Sequence, residues 1–397
     1  MQNLQQQIEQ IKRNSVDFVN EEEMFQKLKK NVPLKIKLGV DPSRPDLHLG
    51  HAVVLRKLRE FQDMGHKVIL IIGDFTARIG DPSGKTKTRP MLTKEEVMIN
   101  AKSYTDQIFK VVDKEKTEIR YNGEWFDKMT FEDMLKLTSK YTVARMLERD
   151  DFRNRYNSNQ PISISEFMYP IAQGYDSVVI EADVEIGGTD QLFNLLVGRK
   201  YLEEYGKEPQ IVLTMPLIEG TDGNLKMSKS YDNYIAFEDA PENMYGKLMS
   251  IPDTLIIKYM KYLTDISDDQ IKEYEEQLKT DSINPRDVKM ILAKEITTYF
   301  CGNEAAEKAE AHFIKVFREK DIPDEMPFLE TKSEISIVDL VKETKLFTSN
   351  GEIKRQIQQG GVKINDEKIT DFKSNINLKG GEILRIGKKN FYKIKIS

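Results

Sequence analysis

The sequence contains few of the residues and segments that mark several classes of protein. It has one cysteine, Cys301, in 397 residues, which excludes a disulfide framework and a cysteine-rich zinc site and is typical of a reducing cytosol. It has no apolar run near the roughly 18 residues that a membrane-spanning helix needs, and residues 1–30 are too polar and charged for a signal peptide. We therefore expect a cytoplasmic protein without membrane contact, made of two or three domains at roughly 100–200 residues each.

The total charge hides an asymmetry between the body of the chain and its C-terminal tail. The chain carries 60 Lys and Arg against 65 Asp and Glu, a net charge of −5 that by itself argues against a nucleic-acid partner. Residues 335–397 hold 13 basic and 7 acidic residues, so the tail has a net charge of +6 and the rest of the chain −11. This asymmetry indicates a nucleic-acid partner better than the total does, although a solvated lysine-rich surface has the same composition.

Local patterns divide the chain into four parts. Residues 1–232 alternate strand-like runs with helical stretches, which is typical of a Rossmann-like α/β domain with a parallel sheet, and a helical and loop segment at about 126–163 interrupts it. Residues 233–321 are predicted to form a helical domain. Residues 322–334, which contain two prolines, are predicted to form a linker, and residues 335–397 are predicted to form a small α+β domain.

Individual strands and helices are predicted within these parts. The strands predicted for the sheet are 35–40, 68–72, 178–180 and 210–213. Thr93 predicts a capped helix start and Pro285 the first residue of a helix. In the tail we predict helices over 335–344 and 349–359, and strands near 362–364, 382–386 and 392–396. Ligands of an open parallel sheet bind beyond the carboxyl ends of its strands.

Two of the four histidines lie where the first predicted strand is followed by a helix. His48 and His51 flank Gly50 at the start of this helix, where free N–H groups and the helix dipole attract phosphate. Imidazoles can donate hydrogen bonds to phosphate there, and glycine lets a base or ribose approach the backbone. One alternative is a metal pair, although zinc needs at least a third protein ligand. Another is a helix capped by Asp46, with two incidental histidines.

A second motif is a Gly- and Ser-rich loop at residues 220–230, with Lys226 and Lys229 three positions apart. Two lysines on a mobile loop suit the transient neutralisation of charge that develops on pyrophosphate. The alternative is a solvated lysine turn. Residues 80–86 also look like a phosphate-binding P-loop, but three residues instead of four separate the glycines, so we reject that interpretation.

The spacing of a third group of polar residues predicts that they lie on one face of a helix. Tyr169, Gln173 and Asp176 follow one another at intervals of four and three. Such a polar stripe beside apolar neighbours suits a ligand with an ammonium group and a hydroxyl group. The alternative is that Asp176 caps a helix or forms a surface salt bridge.

The His-x-Gly-His turn and the Lys-Met-Ser-Lys-Ser loop together resemble the signature of class I aminoacyl-tRNA synthetases, in which both motifs bind ATP on a Rossmann-like domain. The sequence between them resembles bacterial tyrosyl-tRNA synthetases at residues 80–85, 169–176 and 187–191. Residues 73–80 and the Lys-Met-Ser-Lys-Ser form of the loop resemble their second bacterial subgroup. The resemblance covers essentially the whole chain. Residues 352–365 of the tail resemble the S4 RNA-binding domain.

The resemblance implies roles for individual residues. The residues implied to be catalytic are Ser43, His48, His51, Lys226 and Lys229. Those implied to bind ATP are Gly50, Gly188, Asp190, Lys226, Met227, Ser228 and Lys229. Those implied to bind tyrosine are Asp41, Asp81, Tyr169, Gln173, Asp176 and Gln191, with Asp176 on the phenol and Tyr169, Gln173 and Asp81 on the amino group. Those implied to bind RNA are Lys354, Arg355 and Lys363.

The same resemblance implies a tyrosine–tRNA ligase that uses ATP, with Mg²⁺ bound mainly through the ATP phosphates and no metal site in the protein. It implies tRNA(Tyr) as partner, residues 233–321 on the anticodon side, and a homodimer formed through the segment at 126–163, for which a core helix pair is the alternative. Two neighbouring positions depart from the better-known subgroup. Lys37 stands where a second tyrosine faces the substrate phenol, and Leu38 follows where a cysteine contacts the ribose.

Two competing functions share part of this pattern. A small-molecule adenylyltransferase has the His-x-Gly-His turn but no need for an RNA-binding tail. A catalytically silent RNA-binding homologue would have no need for the intact lysines and histidines.

Overall fold

The computed structural model describes residues 3–42, 46–82, 93–321, 326–347, 349–365, 367–387 and 390–396. Ser43, residues 83–85 and residues 322–325 of the predicted linker therefore lie outside the described residues. The chain forms two compact units, residues 1–310 and 311–397.

The strands of the described residues are β1 (Phe18–Val19), β2 (Lys35–Val40), β3 (Lys67–Ile72), β4 (Thr117–Tyr121), β5 (Val184–Gly188), β6 (Ile211–Met215), β7 (Phe328–Thr331), β8 (Glu334–Ser336), β9 (Val362–Ile364), β10 (Glu367–Ile369), β11 (Asn375–Asn377), β12 (Ile383–Ile386) and β13 (Asn390–Ile396).

The helices are α1 (Leu4–Lys12), α2 (Glu21–Lys29), α3 (Leu49–Asp63), α4 (Thr76–Ile79), α5 (Lys94–Ile108), α6 (Gly123–Phe126), α7 (Phe131–Thr138), α8 (Val143–Met146), α9 (Asp150–Asn157), α10 (Ile164–Ile180), α11 (Leu192–Glu204), α12 (Pro241–Ser250), α13 (Ile256–Leu263), α14 (Asp268–Lys279), α15 (Pro285–Cys301), α16 (Asn303–Asp321), α17 (Ile337–Glu343) and α18 (Asn350–Gln358). No helix of the described ranges is long and apolar enough to cross a membrane.

The first unit is built on a sheet with the strand order β1-β6-β5-β2-β3-β4. All neighbouring pairs are parallel except β1 with β6. The five apolar residues of β3 are each at most 4% exposed, and burial of each such side chain contributes about 1.5–3 kcal/mol to folding. The predicted α/β class with a parallel sheet is confirmed, as are the strands over 35–40, 68–72 and 210–213.

The strand predicted at 178–180 is wrong, because these residues form the last turn of α10. A three-residue apolar run does not distinguish a buried strand from the buried end of a helix. The helix ends at Glu181, which adopts a left-handed conformation with φ 53°, and the strand begins only at Val184.

The predicted helix starts in the first unit are confirmed. Thr93 caps α5 by accepting from the N–H of Glu96, and Pro285 is the first residue of α15. Residues 240–321 are mostly helical, as α12 to α16.

The second unit combines a sheet of order β10-β9-β12-β13-β7, a strand pair β11-β8, and the helices α17 and α18. Its core is apolar, with Leu340, Ile353, Ile357, Leu384 and Ile394 each buried. The two predicted tail helices and the three predicted tail strands are confirmed, except that residues 335–336 belong to β8 and the first of these helices begins at Ile337.

The predicted linker at 322–334 is partly wrong, since residues 328–331 form β7 and Glu334 begins β8. β7 pairs in parallel with β13, more than sixty residues later in the chain. A strand that is stabilised by so distant a partner has little signal in its own local sequence.

Candidate active site

One cavity of about 370 Å³ opens where β2, β3 and β5 end, at the carboxyl edge of the parallel sheet. Its wall also includes the start of α3 and the inner face of α10. The predicted site residues that line it are Asp41, His48, Gly50, His51, Asp81, Tyr169, Gln173, Asp176, Gly188, Asp190, Gln191, Lys226, Met227 and Ser228. Residues from five separate stretches of sequence therefore meet around one space, as Rossmann-type topology predicts.

The histidine pair lies at the first turn of α3, where His48 is the N-cap residue. The His48 N–H donates to His51 Nδ1 at 3.1 Å, and the two ring centroids are 4.0 Å apart. Burial lowers the pKa of His48 to about 2, with His51 and Lys229 adding to the effect. Burial lowers the pKa of His51 to about 4, again with a contribution from Lys229. Both imidazoles are therefore neutral near pH 7, and each can act as a hydrogen-bond donor without carrying a charge.

His48 Nδ1 is buried and has no hydrogen-bond partner among the described residues. No group of three His, Cys, Asp or Glu side chains within the described ranges is arranged to hold a metal ion. The structure therefore brings no third ligand to the histidine pair from the parts of the chain that it describes.

Gly50 provides space beside His48. A Cβ atom at this position would lie 2.9 Å from His48 Nδ1 and 3.0 Å from its Cε1. A larger residue would displace the imidazole, so the glycine keeps the His48 ring beside the cavity.

Backbone N–H groups of the lysine loop form hydrogen bonds with neighbouring segments of the site. The N–H of Met227 donates to Ile218 O at 2.8 Å, and the N–H of Ser228 donates to Asn233 Oδ1 at 2.8 Å. The next strand-like stretch then pairs with the histidine turn, because the N–H of Leu49 donates to Ile235 O at 3.0 Å. The two motifs are thus joined through hydrogen bonds between segments almost 190 residues apart.

Each lysine of the loop is paired with a carboxylate. Lys226 Nζ lies 3.0 Å from Asp190 Oδ2, and Lys229 Nζ lies 2.8 Å from Asp46 Oδ2. Anions that bind these lysines must compete with the two carboxylates. Lys229 does not line the cavity, whereas Lys226 does.

Asp41 lies directly after β2 and is held by two hydroxyl groups. Thr76 Oγ1 donates to Asp41 Oδ1 at 2.7 Å, and Tyr169 OH donates to Asp41 Oδ2 at 2.9 Å. A Cβ atom at Gly73 would lie 2.0 Å from Asp41 Oδ1, so only glycine fits there. Burial raises the pKa of Tyr169 well above its ordinary value, and the Asp41 carboxylate adds to this. Tyr169 is therefore a neutral hydrogen-bond donor.

Gln191 and Asp81 are also joined, since Gln191 Nε2 donates to Asp81 Oδ2 at 3.0 Å. Gln191 Oε1 accepts from Asn194 Nδ2 at 3.0 Å. The side chain of Gln191 is thus held in place at the start of α11, beside the cavity.

Asp176 is buried in the wall of the cavity, on α10. Its two oxygens accept from Trp125 Nε1 at 3.0 Å and from Asn122 Nδ2 at 3.3 Å. Burial raises its pKa to about 7, although the Lys37 ammonium and these two hydrogen bonds act in the opposite direction. A buried acceptor of this kind suits a ligand hydroxyl, and the alternative of a surface salt bridge is excluded by its exposure of 3%.

Sequence reasoning missed three residues of this site, namely Thr76, Asn122 and Trp125. Thr76 lies in the stretch 73–80 that carried part of the resemblance, so a signal was present. Nothing local connects Asn122 or Trp125 with Asp176, more than fifty residues away, apart from the fact that Trp125 is the one tryptophan of the chain. Leu38 lines the cavity but Lys37 does not.

Comparisons with known proteins agree with this geometry. The family model described as tRNA synthetases class I (W and Y) matches residues 29–318, and that of the tyrosine–tRNA ligase SYY-like C-terminal domain matches residues 319–394.

Full-length relatives have high identity. The tyrosine–tRNA ligase of Thermotoga maritima is 64% identical over 390 residues, covering 98% of this chain and 97% of the relative. That of Carboxydothermus hydrogenoformans is 53% identical over 404 residues and covers 98% of each chain.

Solved structures share the fold at low identity. A C-terminally truncated mitochondrial tyrosyl-tRNA synthetase from Aspergillus nidulans superimposes with a TM-score of 0.65 and 22% identity, over 80% of this chain and 95% of that one. The Archaeoglobus fulgidus tyrosyl-tRNA synthetase complexed with L-tyrosine gives a TM-score of 0.62 and 23% identity, over 78% of this chain and 100% of that one. With the two-domain match and these full-length identities, this chain belongs to the tyrosine–tRNA ligase family of class I tRNA synthetases.

Proposed function

We propose that this chain is a tyrosine–tRNA ligase, which joins L-tyrosine to ATP as tyrosyl-adenylate and then transfers the tyrosyl group to the 3′ end of tRNA(Tyr). The observation that carries the proposal is that one cavity is lined by the histidine motif, by residues 226–228 of the lysine loop and by the polar face of α10, with Tyr169, Gln173 and Asp176. Phosphate-binding and amino-acid-binding chemistry therefore share one space, as adenylation of an amino acid requires.

The first step needs no side-chain base. The carboxylate oxygen of tyrosine attacks the α-phosphorus of ATP in line, the new O–P bond forms, and the bond to the bridging oxygen of pyrophosphate breaks. Catalysis then depends on orientation and on stabilising the charge that develops on pyrophosphate. We assign this stabilisation to Lys226 and Lys229, and to hydrogen bonds from the neutral His48 and His51. Ser43, which lies outside the described residues, is assigned to the phosphates by resemblance alone.

The amino acid is held by the other polar residues of the cavity. Asp176 accepts from the phenol, Tyr169, Gln173 and Asp81 bind the ammonium group, and Asp41 and Gln191 lie at the junction of the tyrosine carboxyl and the adenylate. Phenylalanine lacks the hydroxyl that donates to the buried Asp176 in addition to Trp125 and Asn122, so the site disfavours it.

The nucleotide is assigned to the remaining cavity residues. Gly188 and Asp190 hold the ribose, Gly50 lets the nucleotide approach the start of α3, and Met227 and Ser228 contribute from the lysine loop. A Cβ atom at Gly188 would lie 2.8 Å from Asp190 Oδ1, so glycine is needed beside this aspartate. Mg²⁺ reaches the site mainly through the ATP phosphates, and no step of the proposal passes through a metal held by the protein.

In the second step, a hydroxyl of the terminal ribose of the tRNA attacks the carbonyl carbon of the adenylate, and AMP leaves. We assign binding of the tRNA to the tail. Lys354 and Arg355 are exposed on α18. Lys363 on β9 stands directly opposite Lys368 on β10 and Arg385 on β12, so three cations form a row across the sheet.

Like charges directly opposite one another destabilise a sheet. Three cations in one row therefore indicate a surface that binds a polyanion and neutralises its charge. This supports an RNA-binding role for the tail better than its net charge alone does, and it adds Lys368 and Arg385 to the residues expected from the sequence.

The chain is proposed to act as a homodimer through the segment at 126–163. Large exposed apolar side chains recur there and at the start of α10, with Phe131 80%, Leu135 54%, Val143 61%, Tyr156 63% and Ile164 80% exposed. The concentration of such side chains in one stretch of the chain supports a protein contact there.

Replacing both Phe131 and Leu135 with aspartate is expected to convert a dimer of this 46.0 kDa chain into a monomer, because two charges would be buried at the contact without partners. Sedimentation velocity measures the mass. The matched control is Ile99→Asp, which places one charge at a 74% exposed apolar residue of α5, outside the segment. A double variant that keeps the mass of the unmodified chain contradicts this interface.

Exchange of labelled pyrophosphate into ATP, measured with each amino acid in turn, tests the proposed function. We expect L-tyrosine to support exchange, and phenylalanine and tryptophan to support it poorly or not at all. Tryptophan matters because the matched family model covers both specificities. Exchange with tryptophan but not tyrosine would contradict the specificity, and no exchange with any amino acid would contradict the enzyme assignment.

A further inference from the structure

A fully buried ion pair lies behind the wall of the cavity. Lys37 on β2 and Glu185 on β5 are directly opposite each other in the parallel register, and both side chains have 0% exposure. Lys37 Nζ is 2.9 Å from Glu185 Oε1. Gln173 lines the cavity, while neither member of the pair does.

All three N–H groups of Lys37 have acceptors. Besides Glu185, the ammonium donates to the backbone carbonyl oxygen of Gln173 at 2.8 Å and to Ser177 Oγ at 2.7 Å. Both acceptors belong to α10, so the lysine ties β2 to the helix that presents the amino-acid-binding residues.

Glu185 accepts from several donors. Gln173 Nε2 donates to its Oε1 at 3.2 Å, Ser177 Oγ donates to its Oε2 at 3.1 Å, and Gln210 Nε2 also donates to Oε2. Gly198 on α11 leaves room for this network, because a Cβ atom there would lie 3.0 Å from Glu185 Oε2 and 2.6 Å from Gln210 Nε2.

The contact between Gln173 and Glu185 determines which way the glutamine amide faces. A glutamine side chain has one end that donates and one that accepts, and a carboxylate can only accept. Since Glu185 Oε1 engages the NH₂ end of the amide, the carbonyl oxygen Oε1 of Gln173 is the end that remains for a ligand in the cavity.

We propose that the Lys37–Glu185 ion pair is a positioning unit for recognition of the amino-acid substrate: Glu185 turns the Gln173 amide so that its oxygen accepts from the α-ammonium group of tyrosine, and Lys37 holds Glu185 as a buried carboxylate. The inference rests on the proposed function, since it concerns how that substrate is held.

The charge on the pair explains why both members are needed. A buried carboxylate without a cation is strongly destabilising, whereas a pair with its remaining hydrogen bonds satisfied is tolerated. A neutral glutamine in place of Glu185 could donate or accept, so it would not dictate the orientation of the Gln173 amide. Lys37 therefore acts on the substrate through Glu185 and Gln173, without touching it.

The test compares two ligands that differ only in the ammonium group, L-tyrosine and desamino-tyrosine, the analogue of tyrosine without its amino group. Dissociation constants are measured by titration calorimetry on the full chain and its variants. Glu185→Gln removes the fixed acceptor. The double variant Lys37→Met/Glu185→Met removes both charges with little change in volume, and it avoids the unpaired buried charge that could prevent folding of a single variant.

Both variants are expected to weaken tyrosine binding about tenfold or more, the usual effect of losing a hydrogen bond to a charged group. Binding of desamino-tyrosine should change by less than about twofold, because the residues that contact the phenol are kept. In the double variant, Lys37, which lowers the pKa of Asp176, and Glu185, which raises it, are removed together. The matched control is Lys57→Met/Glu60→Met, which removes another Lys–Glu pair at 2.6 Å with a buried lysine, on α3 and outside the cavity wall. This control should bind both ligands as the unmodified chain does.

Equal weakening of both ligands would overturn the proposal, because it would show a merely structural role for the pair. Unchanged tyrosine affinity in the double variant would overturn it as well. Failure of the proposed function is recognised separately, since the unmodified chain would then bind no tyrosine and support no exchange with it.

Discussion

Replacing Lys229 with alanine is expected to slow adenylate formation by about 10²–10³-fold, the usual effect of removing one group that stabilises developing charge. The affinity for tyrosine should change by less than about twofold, because Lys229 is assigned to pyrophosphate and does not line the cavity. Its side chain is 12% exposed and paired with Asp46 at 2.8 Å. Its charge is therefore less screened by water than that of Lys226, which is 42% exposed, and its removal is expected to have a large effect.

Rapid-quench measurement of adenylate formation in a single turnover separates the chemical step from tyrosine binding, which calorimetry measures independently. The matched control is Lys247→Ala. Both lysines lie near the Tyr234 ring, at 5.9 Å for Lys229 and 5.2 Å for Lys247, and both pair with an aspartate. Lys247 lies on α12 and is bound to Asp239, whereas Lys229 belongs to the lysine loop and is bound to Asp46. The control should leave the rate within about threefold.

An indirect effect through the histidines is too small to explain such a loss. Lys229 is one of the causes that lower the pKa of His48 and of His51, so its removal raises both values. Burial remains the largest cause for each ring, and both stay neutral near pH 7. A variant that loses tyrosine affinity in step with its rate would contradict the assignment of Lys229 to pyrophosphate.

Removal of residues 322–397 is expected to abolish most tRNA charging, by about 100-fold or more, while pyrophosphate exchange stays within about twofold. The cavity lies wholly in the unit of residues 1–310. The tail is assigned to the phosphates of the tRNA, whose neutralisation provides much of the affinity for a nucleic acid. Aminoacylation and exchange assays on the same preparation measure the two activities.

The site of truncation matters for this experiment. A chain that ends at residue 334 would retain β7 without its parallel partner β13, and an unpaired strand edge promotes aggregation. Ending the chain at Asp321, the last residue of α16, removes the whole sheet of the second unit.

A full-length variant tests the same assignment without truncation. Replacing Lys363, Lys368 and Arg385 with glutamine should lower the salt dependence of tRNA binding by about one unit of slope for each lost phosphate contact. Lys395→Gln is the control, since Lys395 is paired with Glu330 at 2.6 Å. Charging that survives both the truncation and the triple substitution would show that the tail is not the main tRNA anchor.

The sequence by itself determined those features that depend on neighbours in the chain. The strands 35–40 and 68–72, the capped start of α5 and the single polar face of α10 follow from periodicities of two and 3.6 residues and from capping chemistry. The lysine loop, the histidine turn and the basic tail are likewise contiguous in sequence. Their residues could be named, and the class of ligand inferred, because each motif carries its own chemistry.

The tertiary structure alone decided features that depend on residues distant in sequence. It brought Asn122 and Trp125 to Asp176, paired Lys226 and Lys229 with carboxylates, and made His48 and His51 neutral by burying them. It also placed Lys37 behind the cavity wall, where the register of β2 against β5 sets it opposite Glu185. Strand register and burial are properties of the folded chain, and no local spacing encodes them. For that reason the sequence identified the substrate-binding residues, whereas only the fold showed which buried partners orient them and set their charge.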